Sequence, residues 1–130
     1  MYKSMTTNLM VESVDKSIVF YRDVLGFSVV TSVPGKGNEL QFAIISNDDI
    51  LLMLQEKDNL IEEYPVLATP EVHPSVSLYI VVDNLDAVYE DIREKHQINT
   101  ELHTSFYGAR EFAVTDVDGY VLTFTERKDA

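Results

Sequence analysis

A repeat constrains the fold of this chain more than any other feature. Residues 112–126 have the same pattern as residues 42–56, 70 positions earlier (112 − 42). Each copy begins with Phe-Ala, has an Asp at its centre, a Leu four residues later and a Glu at its end. Each predicts strand, turn, strand, and Gly119 can supply a positive φ in the second turn. A further match, between residues 9–15 and 80–86, precedes a helical pattern in both places.

The repeat predicts an α+β fold of two tandem βαβββ modules within a single domain, residues 1–130. We place module 1 at about 5–56, the connection at 57–75 with a short helix at 59–64, and module 2 at about 76–127. Either Ser13 or Asp15 begins the first helix and Gly26 ends it. The other predicted elements are strands at 6–11, 27–33, 40–45, 50–55, 77–82, 99–105, 110–115 and 120–126, and a second helix at 85–95.

Composition excludes several classes of protein. The chain has no cysteine, so disulfides and thiolate metal sites are excluded. Its net charge of −12 disfavours nucleic acid and anionic lipid as partners and attracts cations, although an acidic surface also serves solubility. No apolar run approaches the roughly 20 residues of a membrane span, and residues 1–5 lack a signal-peptide core. We therefore expect a cytoplasmic protein without membrane contact.

Alternation along the strands separates two faces of each predicted sheet. The face beneath the helices is aliphatic and aromatic: Leu9, Val11, Leu52, Leu54, Leu78, Ile80, Val82, Leu122 and Phe124. The opposite face mixes hydroxyl, amide, thioether and phenol groups: Thr6, Asn8, Met10, Leu51, Met53, Gln55, Ser77, Tyr79, Val81, Val121, Thr123 and Thr125. That mixture is typical of a small-molecule pocket, and a half-exposed sheet surface or a dimer contact are the alternatives.

Three stretches carry a resemblance to a known family: residues 11–27, which include FYRDVLGF, residues 79–86, and residues 111–120, which include DVDGY. They resemble the vicinal oxygen chelate superfamily, which includes glyoxalase, bleomycin and fosfomycin resistance proteins and extradiol dioxygenases. The resemblance implies curved mixed sheets that form a half-barrel cavity. It also implies a homodimer with sites built from both subunits.

The resemblance further implies where a metal would bind. Its metal-dependent members place His and Glu ligands at positions occupied here by Thr6, Met53, Ser77 and Thr123. Hydroxyl and thioether groups bind a divalent metal weakly at neutral pH, so we expect no metal and no cofactor. The three histidines, His73, His96 and His103, share neither a strand position nor ligand spacing. Glu56 and Glu126 are interpreted as solvated carboxylates at strand ends.

We therefore predict a metal-independent small-molecule binding protein, similar to the bleomycin resistance branch. It would sequester a drug or metabolite, and the acidic chain favours a cationic ligand. The alternative is a lyase, isomerase or dioxygenase with an atypical or absent metal site, for which Tyr79 is the only titratable candidate on the cavity face. A third hypothesis is that this face serves assembly. Arg110 either binds an anionic group or pairs with surface carboxylates. Catalytic residues are not assigned, and the candidate ligand-binding residues are Thr6, Asn8, Met10, Met53, Gln55, Ser77, Tyr79, Tyr107, Arg110 and Thr123.

Overall fold

The computed structural model describes residues 1–126. They belong to two compact units, and the boundary along the chain lies between His73 and Pro74. Each unit contains one βαβββ module, so the predicted α+β fold of tandem modules is confirmed. Unit 1 contains β1 (Thr7–Val11), α1 (Val14–Asp23), β2 (Ser28–Pro34), β3 (Leu40–Asn47), β4 (Ile50–Glu56), α2 (Lys57–Glu63) and a 3₁₀ turn (Pro65–Leu67). Unit 2 contains β5 (Ser77–Val82), α3 (Leu85–Arg93), β6 (Thr100–Thr104), β7 (Arg110–Thr115) and β8 (Val121–Glu126).

The two sheets have the same topology. Their strand orders are β1-β4-β3-β2 and β5-β8-β7-β6. The first strand of each module pairs in parallel with the fourth, and the other pairs are antiparallel. A parallel pair requires a long crossover, which the helix and two intervening strands supply. Neither sheet closes into a barrel within residues 1–126.

The sequence left Ser13 and Asp15 as candidates for the residue that begins the first helix. The Ser13 hydroxyl accepts a hydrogen bond from the Lys16 backbone N–H at 3.1 Å, so Ser13 is the N-cap. Asp15 instead accepts a bond from the Leu40 N–H at 3.0 Å. After the helix, Gly26 adopts a φ of +76°, which confirms the predicted end.

No helix within residues 1–126 is long and apolar enough to span a bilayer.

Each unit has its own core, on the face of the sheet predicted to be apolar. In unit 1, Leu9, Val11, Leu52 and Leu54 are buried. In unit 2, Leu122 and Phe124 are buried, whereas Leu78, Ile80 and Val82 are only half-buried. The core of unit 2 is aromatic at its centre, because Phe112 stacks on Phe124 and meets the edge of Tyr89, both with ring centroids 5.1 Å apart.

The repeated turns differ in how they are stabilised. In unit 1 the turn between β3 and β4 is short, and Asp48 adopts the positive φ, at 50°. In unit 2 the turn is longer, and Gly119 takes the positive φ, at 97°. There the carboxylate of Asp116 accepts hydrogen bonds from the N–H groups of Asp118 and Tyr120, both at 3.0 Å. The turn predicted around Gly119 is thus present.

The repeated glutamates are not solvated strand ends, so that interpretation is wrong. Glu56 is the N-cap of α2, and its carboxylate accepts from the N–H groups of Asp58 and Asn59 at 2.8 and 3.1 Å. Glu126 accepts from the N–H of Leu85 at 3.2 Å, at the start of α3. Both are half-buried. A carboxylate is favoured at a helix N-terminus because the first N–H groups lack partners and the dipole is positive there.

Candidate ligand-binding site

The face of the unit 1 sheet away from α1 brings several predicted residues together. Asn8 on β1 lies opposite Met53 on β4, and Met10 lies opposite Gln55. Across the next pair of strands, Met53 faces Ile44 and Gln55 faces Phe42. Thr6 immediately precedes β1.

Gln55 is the centre of a hydrogen-bond network on this face. Its carbonyl accepts from the Asn8 amide at 2.9 Å, and its own NH₂ group donates to Asn59 at 2.7 Å and to Glu63 at 3.1 Å. The Asn59 amide in turn donates to Gln41 at 3.2 Å. Gln55 is 6% exposed, so its orientation is fixed both by burial and by three bonds.

An open cleft of about 540 Å³ lies over this network. It is lined by Val33, Gln41, Phe42, Gln55, Asn59, Glu62 and Glu63. Its volume lies within the range of about 300–1,000 Å³ that is usual for small-molecule pockets. Apolar side chains, fixed amides and two carboxylates together offer packing, oriented hydrogen bonds and attraction for positive charge.

In unit 2 the corresponding face carries the other predicted residues. Tyr79 on β5 lies opposite Thr123 on β8, and Thr123 lies opposite Ala113 on β7. Ser77 lies opposite Val121 and is exposed. Tyr79 is 54% exposed, so its ring is accessible on this face.

A carboxylate that the sequence interpretation missed lies among these residues. Glu111 on β7 is only 8% exposed, and its Oε2 atom accepts bonds from the Tyr107 hydroxyl at 2.6 Å and the Tyr79 hydroxyl at 3.4 Å. The bonds to Glu111 and Tyr79 raise the pKa of Tyr107 to about 12, because loss of the phenolic proton would place negative charge beside the carboxylate. Tyr79 is therefore not the only titratable group on this face.

The raised pKa of Tyr107 has a testable consequence. In Glu111→Gln the pKa is expected to fall from about 12 towards its ordinary value of 10.0, because the bond to Glu111 is the largest cause of the shift. Because the folded-state pKa is raised, the hydrogen bond between Tyr107 and Glu111 stabilises the folded chain fully below pH 10.0. This contribution to the free energy of unfolding is lost as pH rises through about 12. The pKa of Tyr107 is measured from its Cζ chemical shift as a function of pH. The control is Glu94→Gln, which removes an exposed carboxylate at the end of α3. An unchanged titration in Glu111→Gln would contradict the assignment.

Arg110 pairs with a carboxylate of the protein, which is the second of the two roles predicted for it. Its guanidinium pairs with both carboxylate oxygens of Asp86, at 2.9 and 3.4 Å. Asp86 belongs to the first turn of α3, so this side chain lies on the helix side of the sheet. The Arg110 guanidinium lowers the pKa of Asp86 through the same bonds. Arg110 is therefore not part of the candidate site.

The family's metal-ligand positions lack the side chains that a divalent metal prefers. The four positions that the resemblance assigns to ligands carry hydroxyl or thioether groups: Thr6, Met53, Ser77 and Thr123. Within the described part of the chain, no three His, Cys, Asp or Glu side chains gather closely enough to hold an ion.

Three of the site residues missed from the sequence, Asn59, Glu63 and Glu111, had detectable signals. Asn59 and Glu63 follow Gln55 at intervals of four residues, which is the spacing of one helix face. Alternation along β7 places Glu111 on the same face of the sheet as Ala113, and Arg110 on the opposite face. Gln41 had no signal of its own.

Comparisons with known proteins agree with this architecture. The model of the Glyoxalase/Bleomycin resistance protein/Dioxygenase superfamily matches residues 5–124. A bleomycin resistance protein of Geobacillus stearothermophilus is 28% identical over 128 residues, 92% of each chain. Among solved structures, TioX from Micromonospora sp. ML1 has a TM-score of 0.78 at 20% identity, over 98% of this chain and 100% of that one. A glyoxalase/bleomycin resistance protein/dioxygenase from Nocardioides has a TM-score of 0.77 at 19% identity, over 100% and 87%. The structural likenesses establish the fold alone, and the match of the family model over most of the chain shows that it belongs to the glyoxalase/bleomycin resistance protein/dioxygenase superfamily.

Proposed function

We propose that this protein binds and sequesters a small organic ligand, a drug or a metabolite, without a metal ion and without converting it. The observation that carries the proposal is the network around Gln55 at the base of the unit 1 cleft. Its amide is held by Asn8, Asn59 and Glu63 before any ligand arrives. Preorganised polar groups lower the cost of binding because fewer side chains must be ordered in the complex.

Metal independence is supported by the donor set at the family's ligand positions. A metal that polarises a substrate oxygen or activates water needs carboxylate or imidazole ligands. Thr6 and Met53 in unit 1, and Ser77 and Thr123 in unit 2, supply neither.

The class of ligand is supported by charge and by the relatives. Glu62 and Glu63 line the cleft, and the chain carries a net charge of −12, which favours a cationic ligand. The relatives at 28% identity are bleomycin resistance proteins of Geobacillus stearothermophilus and Staphylococcus aureus. A cleft of about 540 Å³ is of a volume usual for binding a small organic molecule or one segment of a larger ligand.

The test is a calorimetric titration of chelator-treated protein with metal-free bleomycin, followed by mass spectrometry of the recovered ligand. We expect saturable binding at one ligand per chain and an unchanged ligand mass. Fosfomycin, an aromatic drug and a glutathione adduct are titrated in parallel. Binding that appears only with added metal, a changed ligand mass, or no binding by any of the four would contradict the proposal.

We also propose a homodimer in the cytoplasm. The edge strand β2 supports association, because all seven of its residues are exposed and include Val29, Val30 and Val33. Light scattering tests the assembly, and a monodisperse monomer would contradict it.

A further inference from the structure

Glu111 is a buried carboxylate without a cationic partner. It is 8% exposed, and no ion pair within residues 1–126 includes it. The neighbouring Arg110 is held by Asp86 instead. Carboxylates this deeply buried are usually paired with a cation, because burial removes the hydration of the charge.

The hydrogen bonds of Glu111 are one-sided. The hydroxyls of Tyr79 and Tyr107 both donate to Oε2, and within the described residues Oε1 has no hydrogen-bond partner. The two phenols therefore hold the carboxylate in place and leave one oxygen available to a further donor. The hydroxyl of Tyr107 is a donor at neutral pH, because a phenol loses its proton only at about pH 10 or above.

The two tyrosines that bind this carboxylate have accessible rings. Tyr79 and Tyr107 are each 54% exposed, although their hydroxyls are engaged. Phe106 is fully exposed and meets the Tyr107 ring edge-on, with centroids 4.9 Å apart. The faces of such rings attract organic cations, which are more easily desolvated than metal ions.

We propose that Glu111, Tyr79 and Tyr107 form a subsite for a protonated amine, with the ammonium group donating to Oε1 of Glu111 and lying against the two phenol rings. The assignment rests on the proposed ligand-binding function and names the group that unit 2 recognises. It lies in unit 2 and shares no residue with the Gln55 network of unit 1.

The test uses 2-phenylethylamine, which is protonated at neutral pH, and its neutral analogue 2-phenylethanol. Each is titrated into the isotope-labelled full chain, and the tyrosine side-chain NMR signals are followed. The amine is expected to shift the signals of Tyr79 and Tyr107 saturably and to bind about tenfold or more tightly than the alcohol. Equal affinities, or no saturable shift with the amine, would overturn the proposal.

Two variants assign the preference to the subsite. Glu111→Gln keeps the shape of the side chain and is expected to abolish the preference for the amine, whereas Glu94→Gln, which removes the same charge from an exposed position, is expected to retain it. Tyr107→Leu removes a half-exposed ring and is expected to weaken amine binding about two- to fivefold. A preference that survives in Glu111→Gln, with the spectrum of a folded chain, would overturn the proposal.

The two proposals fail separately. If wild-type protein binds metal-free bleomycin but does not distinguish the amine from the alcohol, the subsite is wrong and the binding function stands. If the amine preference depends on Glu111 but none of the four ligands titrated by calorimetry binds, the subsite is correct and the sequestration function is wrong.

Discussion

Replacing Phe112 with alanine is expected to destabilise unit 2 by about 3–5 kcal/mol. The ring is 0% exposed, stacks on Phe124 with an interplanar angle of 17°, and meets the edge of Tyr89. Its removal would lose the transfer free energy of the ring and leave a cavity between two β-strands and α3, which can collapse only in part. Urea denaturation followed by tyrosine fluorescence and circular dichroism measures the loss.

Phe106→Ala is the matched control. Phe106 is the same residue type in the same unit but is fully exposed, so its replacement is expected to change stability by no more than about 0.5 kcal/mol. Similar losses in the two variants would contradict the placement of Phe112 at the centre of the core.

Replacing Gln55 with leucine is expected to weaken binding of metal-free bleomycin about tenfold or more and to destabilise unit 1 by about 1–3 kcal/mol. Leucine is apolar and of comparable volume, although one bond shorter, so it fills most of the space but removes one acceptor and two donors. Asn8, Asn59 and Glu63 would each lose the bond that orients them. Calorimetry measures the affinity, and urea denaturation measures the stability.

Gln97→Leu makes the same chemical change at an exposed position that follows α3. It is expected to leave both affinity and stability close to those of the wild-type protein. If Gln55→Leu bound bleomycin as tightly as Gln97→Leu does, the Gln55 network would not be part of the binding site.

The fold was predictable because the repeat and the alternation of apolar residues agree. Leu52 and Leu122 occupy matching positions in the two copies, and both are buried. The turn at Gly119 followed from its conformational freedom, and its positive φ confirms that reasoning. Local patterns and turn chemistry thus predicted the order and type of the elements in both modules.

The site was only partly predictable, because its contacts depend on where a helix begins and on how strands pair. Gln55 and Tyr79 were identified by strand alternation alone. Their partners Asn59 and Glu111 depend on where α2 begins and on the pairing of β7 with β8. The start of α2 is fixed by the Glu56 cap, whose role strand alternation does not reveal. Arg110 was ambiguous in the sequence because its direction depends on the same register.

The central claim is that the chain binds an organic ligand in the unit 1 cleft around Gln55 without a metal ion. The most direct measurement is the ¹H–¹⁵N spectrum of chelator-treated protein as metal-free bleomycin is added. The side-chain NH₂ signals of Asn8, Gln55 and Asn59 are expected to shift together and to saturate at one ligand per chain. Signals that stay in place until zinc, nickel, iron or manganese is added would contradict the claim.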